Sequence, residues 1–192
     1  MKKYELTEIT KEVNGRLLHL IKALKSFKFA SKGDLGGWIE KEENLSHEGD
    51  CWVYEDGKVY DNACIYGNAQ VYGNAQVFGD AIVSGIARVF GNAQVCGGAW
   101  VCRNATICGK AIVSGDARVS GNIKISKTTD YINYGPIGSR NSFITIVKDQ
   151  DYIATGCFQG NKKEFLEKVK ETHKSNQCAK EYRELVKFIF KK

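Results

Sequence analysis

Thirteen consecutive hexapeptides run from Val53 to Asp130, and this period constrains the fold more than any other feature of the chain. They begin VYEDGK, VYDNAC, IYGNAQ, VYGNAQ and end VSGDAR, VSGNIK, ISKTTD. Position one is always Val or Ile, from Val53 to Ile125. Position five is Ala from Ala63 to Ala117. Positions three and four are mostly Gly and Asn or Asp. A β-branched residue suits a short strand. Gly followed by Asn or Asp suits a tight corner, because both tolerate left-handed backbone angles. Each hexapeptide is therefore expected to form one strand and one corner. Three of them close a triangular coil of about 18 residues, and coils stack at roughly 4.8 Å. Val or Ile points inward and Ala fits the corner. Burying each Val or Ile contributes on the order of 1.5–3 kcal/mol, and no coil can bury its apolar face without neighbours.

The pattern resembles the left-handed parallel β-helix of the hexapeptide-repeat proteins, and that resemblance implies the left hand. The general crossover rule would give the right hand. Period six separates the chain from pentapeptide-repeat DNA mimics, and the outward Thr ladders of ice-binding β-helices are missing. The expected fold class is mainly β: a left-handed parallel β-helix over residues 53–130, an N-terminal β cap over 1–52, and a small α+β unit of ββαα type over 131–192.

In the cap, LLHLIKAL follows a hairpin-type Asn14-Gly15 turn. Asp34-Leu35-Gly36-Gly37 is read as a further turn. A β-helix needs its open end covered, since free strand edges invite aggregation. Beyond Asp130, YINYGPIGSRN holds the only proline, Pro136, and reads as a linker or crossover. SFITIVK and DYIATGCF read as a hairpin around residues 149–151. Asn161 with Glu164 forms a capping-box signature, and Phe165, Leu166 and Val169 follow at helical spacing. A second helix is expected from about Cys178 to Phe190, with Ala179, Tyr182, Leu185, Val186 and Ile189 on one face.

The chain of 192 residues has no long apolar run, and MKKYELTEI lacks a signal-peptide apolar region, so a cytoplasmic location in a bacterial cell is expected, with no membrane partner. The net charge of +6 arises at the C-terminal end, where residues 131–192 carry twelve basic and seven acidic groups. This biases that unit toward an acidic partner. It is not a nucleic-acid signature, because no basic stripe is interleaved with aromatics, and any nucleic-acid contact would fall on that unit. Of the seven cysteines, Cys96, Cys102 and Cys108 are six apart and so fall on three different sides. They are expected to be reduced and structural, not a metal centre.

Stacking one coil on the next sorts the outward residues. One side presents Tyr54, Tyr72, Phe90 and Cys108. A second presents Tyr60, Phe78, Cys96 and Ile112. The third, with the most apolar edge, presents Cys64, Tyr66, Ile82, Trp100 and Cys102. Three uses compete for these faces: self-association as a trimer or dimer, docking of the C-terminal unit, and capture of a partner or small ligand. The candidate face residues are Tyr54, Tyr72, Phe90, Tyr66, Ile82 and Trp100.

Many hexapeptide-repeat proteins are acyltransferases using acetyl-CoA and a histidine base, so that activity is implied by the resemblance. The three histidines here, His19, His47 and His173, lie outside the coils. His47 sits six residues before Val53 and is the base under that reading; otherwise it is a packed cap residue. His19 reads as structural, and His173 falls late in a helix, where a cation is favoured. No GxSxG, HExxH, CxxC or P-loop occurs. No cofactor is expected outside the acyltransferase reading.

DLGGWIEKEENLSHEGDCWVYEDGKVYDNACIYGNAQ, with GCFQGNKKEFLEKVKETH and EYRELVKFI, further resembles a set of bacteriophage and prophage proteins. These share a DLGG[WY]IE cap, YGNA-type coils and a small C-terminal module, and they are named transferases or polymer-forming proteins by fold. Arg103 and Lys127 at the glycine position, and Ile86 and Gly98 at the Asn/Asp position, depart from the pattern. Phage origin implies a non-enzymatic protein that inhibits a host defence system, as an anti-CRISPR does, by occluding a host protein or sequestering a nucleotide signal. A purely structural, self-assembling β-helix is the remaining alternative.

Overall fold

The structure is a computed structural model that describes residues 2–191. A hairpin opens the chain, β1 (Tyr4–Val13) and β2 (Arg16–Ala23), followed by β3 (Leu35–Ile39). Thirteen strands of two or three residues follow, β4 to β16, from Trp52–Val53 to Lys124–Ile125. They stack into three parallel sheets, one for each side of a parallel β-solenoid. Trp52–Val53, Gln70–Val71, Arg88–Val89, Thr106–Ile107 and Lys124–Ile125 make one face. Every inward Val or Ile from Val53 to Ile125 is inaccessible to solvent, and the corner alanines between them are buried too. Those columns are the core.

The corner residue at position three is left-handed in every coil from residue 55 to 121, whatever its type. Most are glycines, and at Gly67, Gly73 and Gly79 an added Cβ would come 3.0–3.1 Å from the backbone nitrogen one coil on. Glu55 and Asp61 take the same conformation, and their carboxylates accept hydrogen bonds from the N–H groups of Gly73 (2.9 Å) and Gly79 (3.2 Å). The neighbouring position four builds amide ladders, such as Asn104 to Asn122 at 2.8 Å.

The cap extends one face of the solenoid: β3 pairs parallel with Lys58–Val59 and antiparallel with β2. Gly36 and Gly37 lie in β3 and not in the turn expected of them. A Cβ on Gly36 would sit 2.7 Å from Ile21 and Trp52, and one on Gly37 2.6 Å from Val53. Glycine serves close packing of cap on coil there. The first coil's free polar groups are met by cap side chains. Buried Lys3 donates to the Cys51 carbonyl (2.8 Å), Tyr4 to that of Leu45 (2.7 Å), and Asn44 to that of Ala63 (2.9 Å).

The C-terminal unit holds four strands, β17 (Ile132–Ile137), β18 (Ser142–Val147), β19 (Tyr152–Thr155) and β20 (Phe158–Gly160), and two helices, α1 (Lys162–His173) and α2 (Gln177–Ile189). The segment expected to be a linker is the edge strand β17, so the unit has four strands and not two. Pro136 is tolerated because it sits on that edge, where the register with β18 shifts between Tyr134 and Ile137. The Asn161 capping box is present, with both bonds at 2.9 Å. The unit does not lie along a side of the solenoid. It covers the last coil, and Val147, Tyr152 and Ala154 join the coil core.

Within the solenoid, the N–H of Trp100 donates to the Ala117 carbonyl one coil on, and Arg88 to Ala105 in the same way. At the last coil, side chains replace that missing neighbour. Arg118 N–H donates to the Thr145 hydroxyl (2.8 Å), Ser120 N–H to the Tyr152 hydroxyl (3.1 Å), and Lys124 N–H to the Gln150 carbonyl oxygen (2.8 Å). Unpaired buried amides are costly, so these three bonds close the open end. No described helix is long and apolar enough to cross a membrane.

Candidate functional site

The three histidines are each engaged by packing or hydrogen bonding. His47 Nδ1 accepts from the Lys3 amide at 3.1 Å, and its ring packs on Tyr4 at 4.4 Å between centroids. Its Nε2 lies 3.7 Å from a Glu42 carboxylate oxygen, and burial holds its pKa below the ordinary imidazole value. His19 Nδ1 lies 3.0 Å from the Thr7 carbonyl oxygen. His173 ends α1, beside the Tyr182 ring. No described group of three His, Cys, Asp or Glu side chains could hold a metal ion. Cys96, Cys102 and Cys108 fall on three separate faces, as their spacing implies, and all seven cysteines are free.

Tyr54, Tyr72 and Phe90 form one aromatic column. Tyr54 meets Tyr72 edge-on at 6.3 Å, and Tyr72 stacks on Phe90 at 4.9 Å. Burial, with Tyr72 adding to it, pushes the pKa of the Tyr54 hydroxyl up to about 12. On the second side, Tyr60 stacks on Phe78 at 5.1 Å, but Tyr60 is buried beneath the Asn14 turn. Ile112 pairs with Gln94, not with Cys96, because it precedes an inward residue whereas Cys96 follows one. The structure places Tyr66, Ile82 and Trp100 on the third side, so the six candidate residues do not form one patch.

On that third side, Trp100 lies one coil after Ile82, and Arg118 lies one coil after Trp100. The Arg118 guanidinium carbon sits 5.2 Å from the Trp100 ring centroid, and its Nη1 donates to the Gly156 carbonyl at 3.1 Å. A cation over an indole face is attracted by the ring quadrupole. The junction of coil and C-terminal sheet opens two adjoining clefts here. One, of about 320 Å³, is bounded by Trp100, Arg103, Arg118, Ser120 and Phe158. The other, of about 280 Å³, is bounded by Trp100, Asp116, Arg118, Asn141 and Phe143. A third cleft, of about 310 Å³, lies behind the Gly156 turn among Arg140, Cys157, Lys168 and His173.

Trp100 was singled out by its place in the repeat, and Arg103 as a departure from it. Arg118 was legible in principle, since it follows Trp100 by one coil. Asn141, Gly156 and Phe158 carried no signal, because long-range docking alone brings them to the coil.

Comparison with known proteins agrees with the repeat. The YdcK β-solenoid repeat model matches residues 69–85. A curated relative, the uncharacterized acetyltransferase YdcK of Escherichia coli (strain K12), is 33% identical over 67 residues, which cover 31% of this chain. The match spans 21% of the length of that protein. The chain is thus similar to hexapeptide β-helix proteins through its coils.

Proposed function

We propose that this chain acts by binding, as a non-enzymatic β-helix that occludes a component of a bacterial host's defence machinery in the manner of an anti-CRISPR. The observation that carries this reading is the state of the coils. They run from Trp52 to Ile125 in uniform short strands, and the three histidines lie outside them in packed or hydrogen-bonded positions. Two surfaces of a rigid rod remain for contact: the Tyr72–Phe90 column and the cationic–aromatic junction at Trp100 and Arg118. Both suit interfaces, where aromatic and arginine side chains dominate binding energy. The phage and prophage resemblance of cap and tail supplies the host-defence setting.

The test compares wild type with Tyr72→Asp and Trp100→Asp, expressed as tagged proteins in the bacterial host. The reading expects a stoichiometric host defence component with wild type, and its loss from at least one variant that still melts cooperatively. Retention by both variants would remove these surfaces as the binding site.

A second reading is favoured by the printed name of the relative: acetyl-CoA-dependent acyl transfer with His47 as base. It expects acetyl-CoA binding to the purified chain and loss of turnover in His47→Ala. The binding reading expects partner capture to survive that change.

A further inference from the structure

Arg103 occupies a corner that glycine fills from Gly67 to Gly115 in every other coil unit, and its φ is +59°. The left-handed region is costly for a residue with a Cβ. Glu55 and Asp61, in the same setting, recover that cost through carboxylate bonds to the next coil. Arg103 holds the strained corner and lines the junction cleft. Strain kept without a structural return points to function.

Arg118 and Arg140 flank the same turn. Arg118 Nη1 bonds to the Gly156 carbonyl, and Arg140 Nη1 lies 3.7 Å from Cys157 Sγ. Among the described residues, no carboxylate comes within 4.0 Å of any of these three guanidiniums.

We propose that this cleft binds a phosphate-bearing small molecule, with Arg103 and Arg118 as the phosphate-holding groups. Planar guanidinium forks match phosphate oxygens in pairs, and two of them offer more donors than one carboxylate accepts. The Arg118 guanidinium carbon rests 5.2 Å from the Trp100 ring centroid, so part of its ordering precedes binding. The cleft volume of about 320 Å³ falls in the range of small-molecule sites, about 300–1,000 Å³. This inference names the ligand class of the junction and rests on the reading of the chain as a binding module.

The test is calorimetric titration of the full chain with inorganic pyrophosphate, ADP and malonate. Pyrophosphate or ADP is expected to bind at least about tenfold tighter than malonate, the dicarboxylate control. Tighter ADP than pyrophosphate assigns the site to a nucleotide; equal affinity assigns it to the phosphates alone. Arg103→Gly is expected to weaken pyrophosphate binding by about tenfold or more, the loss of one charged hydrogen-bonding group. Its melting temperature is expected not to fall, because glycine fits the corner. Arg140→Gln, in the neighbouring cleft behind the Gly156 turn, is the control and is expected to leave pyrophosphate binding unchanged. No phosphate binding above the malonate level, or unchanged binding in Arg103→Gly, overturns the site. A host component still captured by a chain that binds no phosphate would overturn this inference alone and leave the binding reading standing.

Discussion

The Tyr152 hydroxyl accepts a hydrogen bond from the Ser120 amide at 3.1 Å and donates one to the Arg118 carbonyl at 3.0 Å. One phenol thus plays the part of a whole strand, meeting both the donor and the acceptor that the next coil would have met. With Thr145 and Gln150 it ends the solenoid without leaving an open edge.

Tyr152→Phe is therefore expected to cost about 1–3 kcal/mol, the penalty of orphaning buried groups, and not the smaller net worth of a surface bond. Chemical denaturation measures it. The phenol is also pushed up to about 12 by burial. A group whose folded pKa is raised stabilises the fold below its unfolded value, about 10. That contribution is lost as pH rises toward 12, and Tyr152→Phe should flatten the alkaline limb of the stability curve.

Glycine substitutions should separate strain from crowding. Gly15→Ala meets only the left-handed backbone penalty, about 1–2 kcal/mol, because nothing lies within 4 Å of the new Cβ. Gly85→Ala meets the same penalty and a contact of 2.7 Å with the Arg103 nitrogen. Gly85→Ala is expected to be the more destabilising of the two, and equal losses in denaturation experiments would contradict the stacked-corner geometry.

At the other end, Lys3 holds the carbonyls of Gly49 and Cys51, and burial lowers its pKa. Lys3→Met keeps the aliphatic stem but leaves those carbonyls open. A loss of about 1–3 kcal/mol is expected, with faster hydrogen exchange in β1 and β2 than in the coils.

His47 carries a pH signature. Its folded pKa is depressed, chiefly by burial, with Glu42 opposing. A depressed pKa contributes stability above the unfolded value, about 6.5, and that contribution is lost as pH falls. The cap should loosen below that pH, and His47→Gln should remove the dependence. Thermal melts from neutral to mildly acid pH read the difference.

The solenoid was legible because its physics is local and periodic. Each Val or Ile and each corner repeats at six, so Val53 to Ile125 could be placed without knowing any distant contact. Cap and tail were harder. Gly36 and Gly37 have turn chemistry, yet they serve close approach to Ile21, Trp52 and Val53. Pro136 argues against a strand until the strand is known to be an edge. The junction was the least legible part, because Asn141 and Phe158 reach Trp100 only after the tail has closed the last coil. Arg103 was visible as an exception to the glycine rule, but its neighbours were not.

The measurement that bears most directly on the central claim is recovery of the tagged chain from its bacterial host, wild type beside Trp100→Asp and His47→Ala. The binding account predicts a stoichiometric host defence component with wild type and with His47→Ala, and its loss from a folded Trp100→Asp. A chain that recovers no such component and turns over acetyl-CoA, with turnover abolished by His47→Ala, would contradict it.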